Sequence, residues 1–329
     1  MTWRELLAEA TEVLRRAGIA EYEADAWILF SEVFDMSRAK YFLCRDQKIS
    51  LESANESDTA GNEAEGEMSA GSAEQFRQMI RRRCERIPLQ QITGHQEFMG
   101  LDFQVNEHVL VPRQDTEVLV ETVLSELKEI ASAVNAEASE GVLKGWTSEA
   151  ALSAKRNDDK CLQIMDMCAG SGCIGISLER LAEIPVDVLA ADISDEAILV
   201  AKRNAERLGC EHYLILKSDL FEQIEGTFDV IVSNPPYIPS AVIETLDDEV
   251  KLHEPRLALD GEADGLAFYR KISSEASRRL RKGGRIYYEI GYDQGTAVSD
   301  ILEANGFADI RVIKDLAGLD RVVAAKRPH

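Results

Sequence analysis

From residue 162 onward the chain alternates short apolar runs with helical patterns, and this alternation restricts the possible architecture more than any other feature. LQIMDMC (162–168), VDVLAAD (186–192), HYLILKS (212–218) and FDVIVS (228–233) are near-continuous apolar runs, as expected of strands covered on both faces. A helix is expected at about 173–183, and another in SDEAILVAKRNAERLG (194–209) that ends at Gly209. LAFYRKISSEASRRL (266–280) reads as a helix with a basic end, capped by Gly283-Gly284, and RIYYEIG, ADIRVIKD and RVVAAK read as late strands. Strands that alternate with helices form a doubly wound parallel sheet. Only LAGLD (316–320) separates the final pair, so those two strands are expected to form an antiparallel hairpin. The expected fold is α/β: a mostly parallel seven-stranded sheet with its last strand antiparallel, joined to a small N-terminal helical bundle.

The bundle is read from the first 90 residues. Thr2 and Glu5 stand at capping-box spacing, and Gly18 is a stop signal for the first helix. EYEADAWILFSEVF and SRAKYFL keep apolar residues at helical intervals. Ser72 and Gln75 repeat the capping-box spacing before a helix that is expected to run to about Ile87 and stop at Pro88. Between these, residues 51–71 lose their large apolar residues and gather Glu, Ser, Gly and Ala, a composition expected of a mobile acidic loop. Residues 91–111 are expected to form a linking hairpin that turns at Met99-Gly100. Pro112-Arg113 then opens a helix through about Glu129, with Asp115 and Glu117 near its positive end. Residues 112–329 make the larger domain, interrupted at 132–160 by a low-complexity insertion.

The net charge of −22 bears on partners mainly by exclusion, because a protein gripping a nucleic-acid backbone needs a basic face. RRRCER (81–86) is the compact basic run, expected as the solvated face of a helix. No apolar stretch reaches the length of a membrane span, and the charged N-terminus lacks the character of a secretory signal. A cytoplasmic monomer that contacts neither nucleic acid nor membrane is the expectation. The six cysteines lack CxxC spacing, so neither a zinc site nor a disulfide framework is expected.

Two motifs carry chemistry. DMCAGSGCIG (166–175) places Gly170-x-Gly172-x-x-Gly175 between a strand and a helix, and Asp192 closes the next strand about 20 residues later. Such a loop and acid suit any adenosine-bearing ligand, a dinucleotide or S-adenosylmethionine alike. Asp166, positioned to order the turn and attract a cation, and Ser218-Asp219 at the switch-point edge tilt the choice toward the methyl donor. The second motif is Asn234-Pro235-Pro236-Tyr237, directly after a strand. Its prolines remove two backbone donors and fix two φ angles, leaving a stiff corner of acceptors. A planar NH2 group has its lone pair delocalised. The Asn234 side-chain oxygen and the Pro235 carbonyl are placed to accept its two N–H groups, and Tyr237 to pack on its plane. The corner therefore fits methyl transfer to nitrogen and has no evident use in hydride transfer.

Asn-Pro-Pro-Tyr with an earlier DxxxGSG resembles the methyltransferases of planar NH2 groups: DNA adenine-N6, DNA cytosine-N4 and protein glutamine-N5 enzymes. Residues 88–121, HEPRLALDGEADGLAFYRKI (253–272), YYEIGYDQ (287–294) and AGLDRVV (317–323) are similar, in order, to the peptide chain release factor glutamine methyltransferases (HemK/PrmC family). The resemblance covers about residues 75–326. It implies transfer of a methyl group from S-adenosyl-L-methionine, leaving S-adenosyl-L-homocysteine, to the side-chain nitrogen of the glutamine in the Gly-Gly-Gln loop of class-1 release factors. By position it implies that Asp166, Cys168, Ala169, Gly170, Ser171 and Gly172 surround the methionine end of the donor. Asp192 would bind ribose, and Asp219-Leu220 would meet adenine. Asn234, Pro235, Pro236 and Tyr237 would hold the glutamine amide, Asn234 also bordering the donor, with Asn234, Pro235 and Tyr237 as the catalytic set. The N-terminal bundle would grip the release factor. No metal is implied.

The sequence departs from the family pattern where Cys168-Ala169 replaces Gly-Thr, where Leu220 replaces an aromatic residue, where Gln114 replaces proline and where Glu262-Ala263 interrupts a Gly-Gly pair. A ribosomal-protein glutamine methyltransferase and a DNA amino-methyltransferase remain as alternatives. An NAD-dependent oxidoreductase fits the glycine loop alone.

Overall fold

A computed structural model describes residues 1–52, 67–135 and 161–328. Its internal contacts divide the chain into two units, Met1–Gly94 with Asp248–His253, and His95–Asp247 with Glu254–His329.

In the first unit, α1 (Trp3–Arg16) opens with a complete capping box: Thr2 Oγ1 accepts from the Glu5 N–H at 3.2 Å, and Glu5 Oε2 accepts from the Thr2 N–H at 2.8 Å. Helices α2 (Tyr22–Phe34) and α3 (Arg38–Cys44) follow, then β1 (Ser50–Glu52), which pairs in parallel with β2 (Glu67–Ser69). Helix α4 (Ala70–Cys84) begins two residues before Ser72, which is therefore helical instead of a cap. It ends before the predicted Ile87, with Arg86 at φ +67°, and Pro88 serves as the N-cap of α5 (Leu89–Thr93). Proline is tolerated at a helix start as well as beyond a helix end, and here it opens the next helix. Trp3, Leu14, Phe30, Phe76 and Ile80 form the core, with Phe30 and Phe76 edge to face at 5.7 Å. Arg83 overturns the expectation of a solvated basic face: it is buried, and its guanidinium bonds Asp25 at 2.7 Å and Glu249 at 2.8 Å.

The second unit starts with the hairpin of β3 (His95–Phe98) and β4 (Leu101–Gln104), which turns at Met99 (φ +53°) and Gly100 (φ +72°) as predicted. Helix α6 (Gln114–Asn135) runs past Glu129 into the stretch read as an insertion. The rest of that stretch, like most of 51–71, lies outside the described residues. The remaining elements are β5 (Leu162–Met167), α7 (Cys173–Leu181), β6 (Val186–Asp192), α8 (Asp195–Arg207), β7 (Tyr213–Lys217), β8 (Phe228–Ser233) and the short helices α9 (Ser240–Ile243), α10 (Asp248–His253) and α11 (Arg256–Leu259). They continue with α12 (Ala267–Arg279), β9 (Leu280–Glu289), α13 (Gly295–Ala304), β10 (Ala308–Lys314) and β11 (Asp320–Lys326). Helix α10 is the segment that belongs to the first unit.

The seven strands lie in the order β10-β11-β9-β8-β5-β6-β7, parallel except for β11, which is antiparallel to both neighbours. Every residue of β5 and of β8 is buried, as their unbroken apolar runs demand. Alternate residues feed opposite layers. Ile164, Val230 and Tyr287 pack with α6, α7 and α8 residues, whereas Met165, Ile231 and Tyr288 pack with α12 and α13 residues. Helix α12 passes straight into β9, so Gly283-Gly284 lie within that strand at an irregular step of its pairing with β8 and do not cap the helix. The chain leaves β5 toward β6 and β7, then returns to the other side of β5 as β8. That reversal makes the C-terminal ends of β5 and β8 the topological switch point, where open α/β sheets bind ligands.

Candidate active site

The loops that follow β5, β6, β7 and β8 converge on a cavity of about 270 Å³. Cys168–Ser171, Asp192, Ser218–Leu220, Asn234 and Pro236 line it, joined by Arg113 and Thr116 from the region of the α6 N-terminus.

The glycine loop is held from several sides. The Gly170 N–H donates to Asp192 Oδ2 at 2.8 Å, and the Ser194 N–H donates to Oδ1 at 2.9 Å, so both carboxylate oxygens are fixed by backbone. Burial raises the Asp192 pKa against these two bonds. Gly172, at φ +81°, caps α7, and a Cβ there would lie 2.8 Å from Tyr213 Oη, so glycine is required. Asp166 is wholly buried and outside the lining. Its Oδ2 accepts from the Gly175 N–H at 2.9 Å, which orders the first turn of α7, and desolvation raises its pKa to about 7. The structure thus places Asp166 behind the loop instead of facing a ligand's cationic end. Asn204 carried no sequence motif, yet it is buried in α8 and donates to Ser171 O (2.9 Å) and Gln104 O (3.0 Å) while accepting from the Gln104 N–H. It couples the loop to the hairpin.

The Asn-Pro-Pro-Tyr corner is braced just as closely. Ser233 Oγ donates to Met167 O at 2.6 Å, tying the end of β8 to the end of β5. Gln294 Nε2 donates to Tyr237 O at 3.0 Å. Residues 259–265 pack beneath: the Gly261 N–H donates to Ile238 O, and a Cβ on Gly265 (φ +73°) would sit 2.3 Å from Tyr237 O. Asn234 and Pro236 reach the cavity wall, whereas Pro235 and Tyr237 are not among its lining residues. Desolvation raises the Tyr237 phenol pKa far above its usual range, which keeps it neutral. Glu289, the last residue of β9, is also buried, and burial raises its pKa to about 7. Sequence reading gave it no role. The signal was a lone acid within the apolar run RIYYEIG. Arg113 Nη2 donates to buried Glu254 Oε1 at 2.6 Å, so this cation stands over the cavity as one half of an ion pair.

A glycine loop, an acid one strand over and an amide-bearing proline corner all border one cavity at a sheet switch point. Comparison with known proteins gives the chain a family. The chain is 37% identical over 331 residues to the release factor glutamine methyltransferase of Clostridium botulinum, which covers 99% of this chain and 100% of that protein. The chain belongs to the release factor glutamine methyltransferase family. The Agrobacterium fabrum protein of the same description is 36% identical over 98% of this chain and 96% of its own length. A bifunctional methyltransferase of Rickettsia felis is 36% identical over 97% of this chain and 57% of that protein. Residues 5–60 and 62–94 match the PrmC N-terminal domain, and residues 148–248 match the methyltransferase small domain. The chain is a methyltransferase. Among the described residues no group of three or more His, Cys, Asp or Glu side chains is disposed to hold a metal, and no helix is long and apolar enough to cross a membrane. All six cysteines are free.

Proposed function

We propose that this chain transfers a methyl group from S-adenosyl-L-methionine to the side-chain nitrogen of a glutamine, that of the Gly-Gly-Gln loop of class-1 peptide chain release factors. The observation that carries this reading is Asn234 on the wall of a cavity whose other walls are the glycine loop and Asp192. The cavity residues fit the donor. Asp192 holds its two oxygens in place with backbone donors and lines the cavity where ribose hydroxyls need acceptors. Ser218, Asp219 and Leu220 line the end assigned to adenine, and Cys168–Ser171 the end assigned to methionine. When bound, the donor supplies a methyl whose bond to sulfur breaks with the electron pair left on sulfur, as the amide nitrogen bonds to carbon and releases one proton.

The protein's part is positioning and electrostatics. The Asn234 Oδ1 and the Pro235 carbonyl accept the two amide N–H groups, orient the nitrogen and stabilise the positive charge that develops on it. Tyr237 borders the amide plane. The N-terminal helical bundle, residues 1–90, helps to grip the release factor. With a net charge of −22 the chain is poorly suited to a polyanionic target.

The test is methyl transfer from labelled S-adenosylmethionine to purified unmethylated class-1 release factor, to the same factor with its Gly-Gly-Gln glutamine replaced by alanine, to ribosomal proteins and to unmodified DNA. Label on the first alone is expected. Label on the alanine variant, on ribosomal protein or on DNA in place of the release factor would refute the assignment.

A further inference from the structure

We infer that Phe268 is a further binding residue of the donor site, the flat wall for the adenine of S-adenosylmethionine, and that Lys271, anchored by Glu262, holds its ring in place. The inference deepens the donor half of the proposed function and is independent of which acceptor takes the methyl.

The need for such a wall starts at Leu220. The turn that carries it is fixed: Ser218 Oγ donates to Leu220 O at 2.6 Å and accepts from the Gln223 N–H at 3.0 Å, with Leu220 at φ +47°. Leu220 lines the end of the cavity assigned to adenine, where a branched aliphatic group offers dispersion but no π face. A purine stacks best on a ring. Phe268 is the only phenylalanine, tyrosine or tryptophan among the described residues that line the cavity, and it packs against the same core cluster as Leu220.

Helix α12 explains how a ring comes to stand there. Tyr269, Ile272, Ser273 and Ala276 are its buried stripe. Phe268 and Lys271, spaced i and i+3, share a face beside that stripe, and both line the cavity. Lys271 Nζ lies 5.3 Å from the centroid of the Phe268 ring, within the range of a cation–π contact, and 2.8 Å from Glu262 Oε1. Glu262 is itself held by its backbone: its N–H donates to Asp260 Oδ1 at 3.0 Å, and its carbonyl accepts from the Ser240 N–H at 2.9 Å. The Lys271–Glu262 pair is exposed and adds little stability. Its effect is to keep an ammonium against the ring, which restricts the rotamers open to Phe268. Two departures from the family pattern are thereby linked. The ring compensates for Leu220, and Glu262 anchors the cation on the ring.

Calorimetry on the full-length chain tests this with S-adenosylhomocysteine and with S-ribosylhomocysteine, which has a hydroxyl in place of the adenine. Phe268→Leu keeps apolar packing and should weaken S-adenosylhomocysteine at least about tenfold, as for loss of one base–aromatic stack. S-ribosylhomocysteine should bind that variant within about twofold of wild type, because the ligand has no base to lose. Phe268→Tyr should bring S-adenosylhomocysteine back to within about threefold. Lys271→Met should weaken S-adenosylhomocysteine about two- to fivefold and leave S-ribosylhomocysteine unchanged. Unchanged S-adenosylhomocysteine affinity in Phe268→Leu would overturn the inference, and so would equal losses for the two ligands, which mark a residue that supports the cavity without meeting the base. Lys271→Met that matched wild type with both ligands would overturn the role of the ion pair. A wild type that bound neither ligand would overturn the donor assignment itself, whereas absent transfer to release factor with these affinities intact would overturn the acceptor assignment alone.

Discussion

At the scale of single residues, several departures from the family pattern have a backbone consequence. Cys168 and Glu262 stand where the family resemblance expects glycine, and both adopt left-handed φ, +63° and +69°. Such a conformation costs an L-residue about 1–2 kcal/mol, against about 0.5–1 kcal/mol that glycine loses through unfolded-state freedom. Cys168→Gly should therefore keep activity and unfold in urea within about 1 kcal/mol of wild type, on the stable side. A loss of donor binding would show that the Cys168 side chain itself contacts the ligand. Asp192 has the opposite character. Asp192→Ala removes the acceptors of Gly170 and Ser194 as well as the group assigned to ribose. Donor affinity measured by calorimetry should fall at least about tenfold, in line with hydrogen bonds to a charged group. Unchanged affinity would refute the ribose assignment. Asp166 shows why a motif alone misplaces a residue: its position before the loop was legible, but the strand pleat that turns it behind α7 is a property of the packed sheet.

At the scale of elements, the sheet was readable because its strands are apolar throughout and its helices are amphipathic, and both patterns are local. Punctuation was less readable, because proline, glycine and serine each have more than one structural use. Pro88 begins a helix, Gly283-Gly284 lie inside a strand, and Ser72 lies inside a helix whose start is set two residues earlier. The brace beneath Asn-Pro-Pro-Tyr was not legible at all, since Gly261, Gly265 and Gln294 reach the corner only through folding. Gly265→Ala tests that brace. Its Cβ would meet Tyr237 O, and the left-handed φ adds strain, so stability should drop by about 2 kcal/mol or more. Turnover should fall more than donor affinity, as a shift of the corner requires. A variant with wild-type turnover would show that the corner holds its shape without this packing.

At the scale of the whole molecule, each unit carries its own buried charge. Within the first unit, the Arg83 pair with Asp25 draws in Glu249 from α10, far along the sequence, and that helix consequently packs with a unit from which it is separated by the hairpin and most of the sheet. Arg83→Ala leaves the Asp25 carboxylate buried and unpaired, so the unit should lose about 3–5 kcal/mol. Trp3 and Trp27, two of the chain's three tryptophans, lie in this unit, so tryptophan fluorescence of a Trp146→Phe background during urea unfolding reads it directly. A change below about 1 kcal/mol would mean that the pair is solvated in solution. Within the second unit, Asp166 and Glu289 hold protons up to about pH 7, whereas the unfolded chain releases them near 4. The folded state thus binds more protons between those limits, and stability should fall as pH rises from about 5 to 8, then level. Glu289→Gln should flatten part of that slope. An upward trend over this range would contradict the two buried acids.

Asn234, as the acceptor that holds the target nitrogen, is the residue on which the proposed chemistry depends most. Asn234→Ala should bind S-adenosylmethionine within about threefold of wild type, while single-turnover methyl transfer to release factor falls by about 10²-fold or more, as for removal of one preorganised electrostatic partner. Transfer at the wild-type rate with normal donor affinity would contradict it.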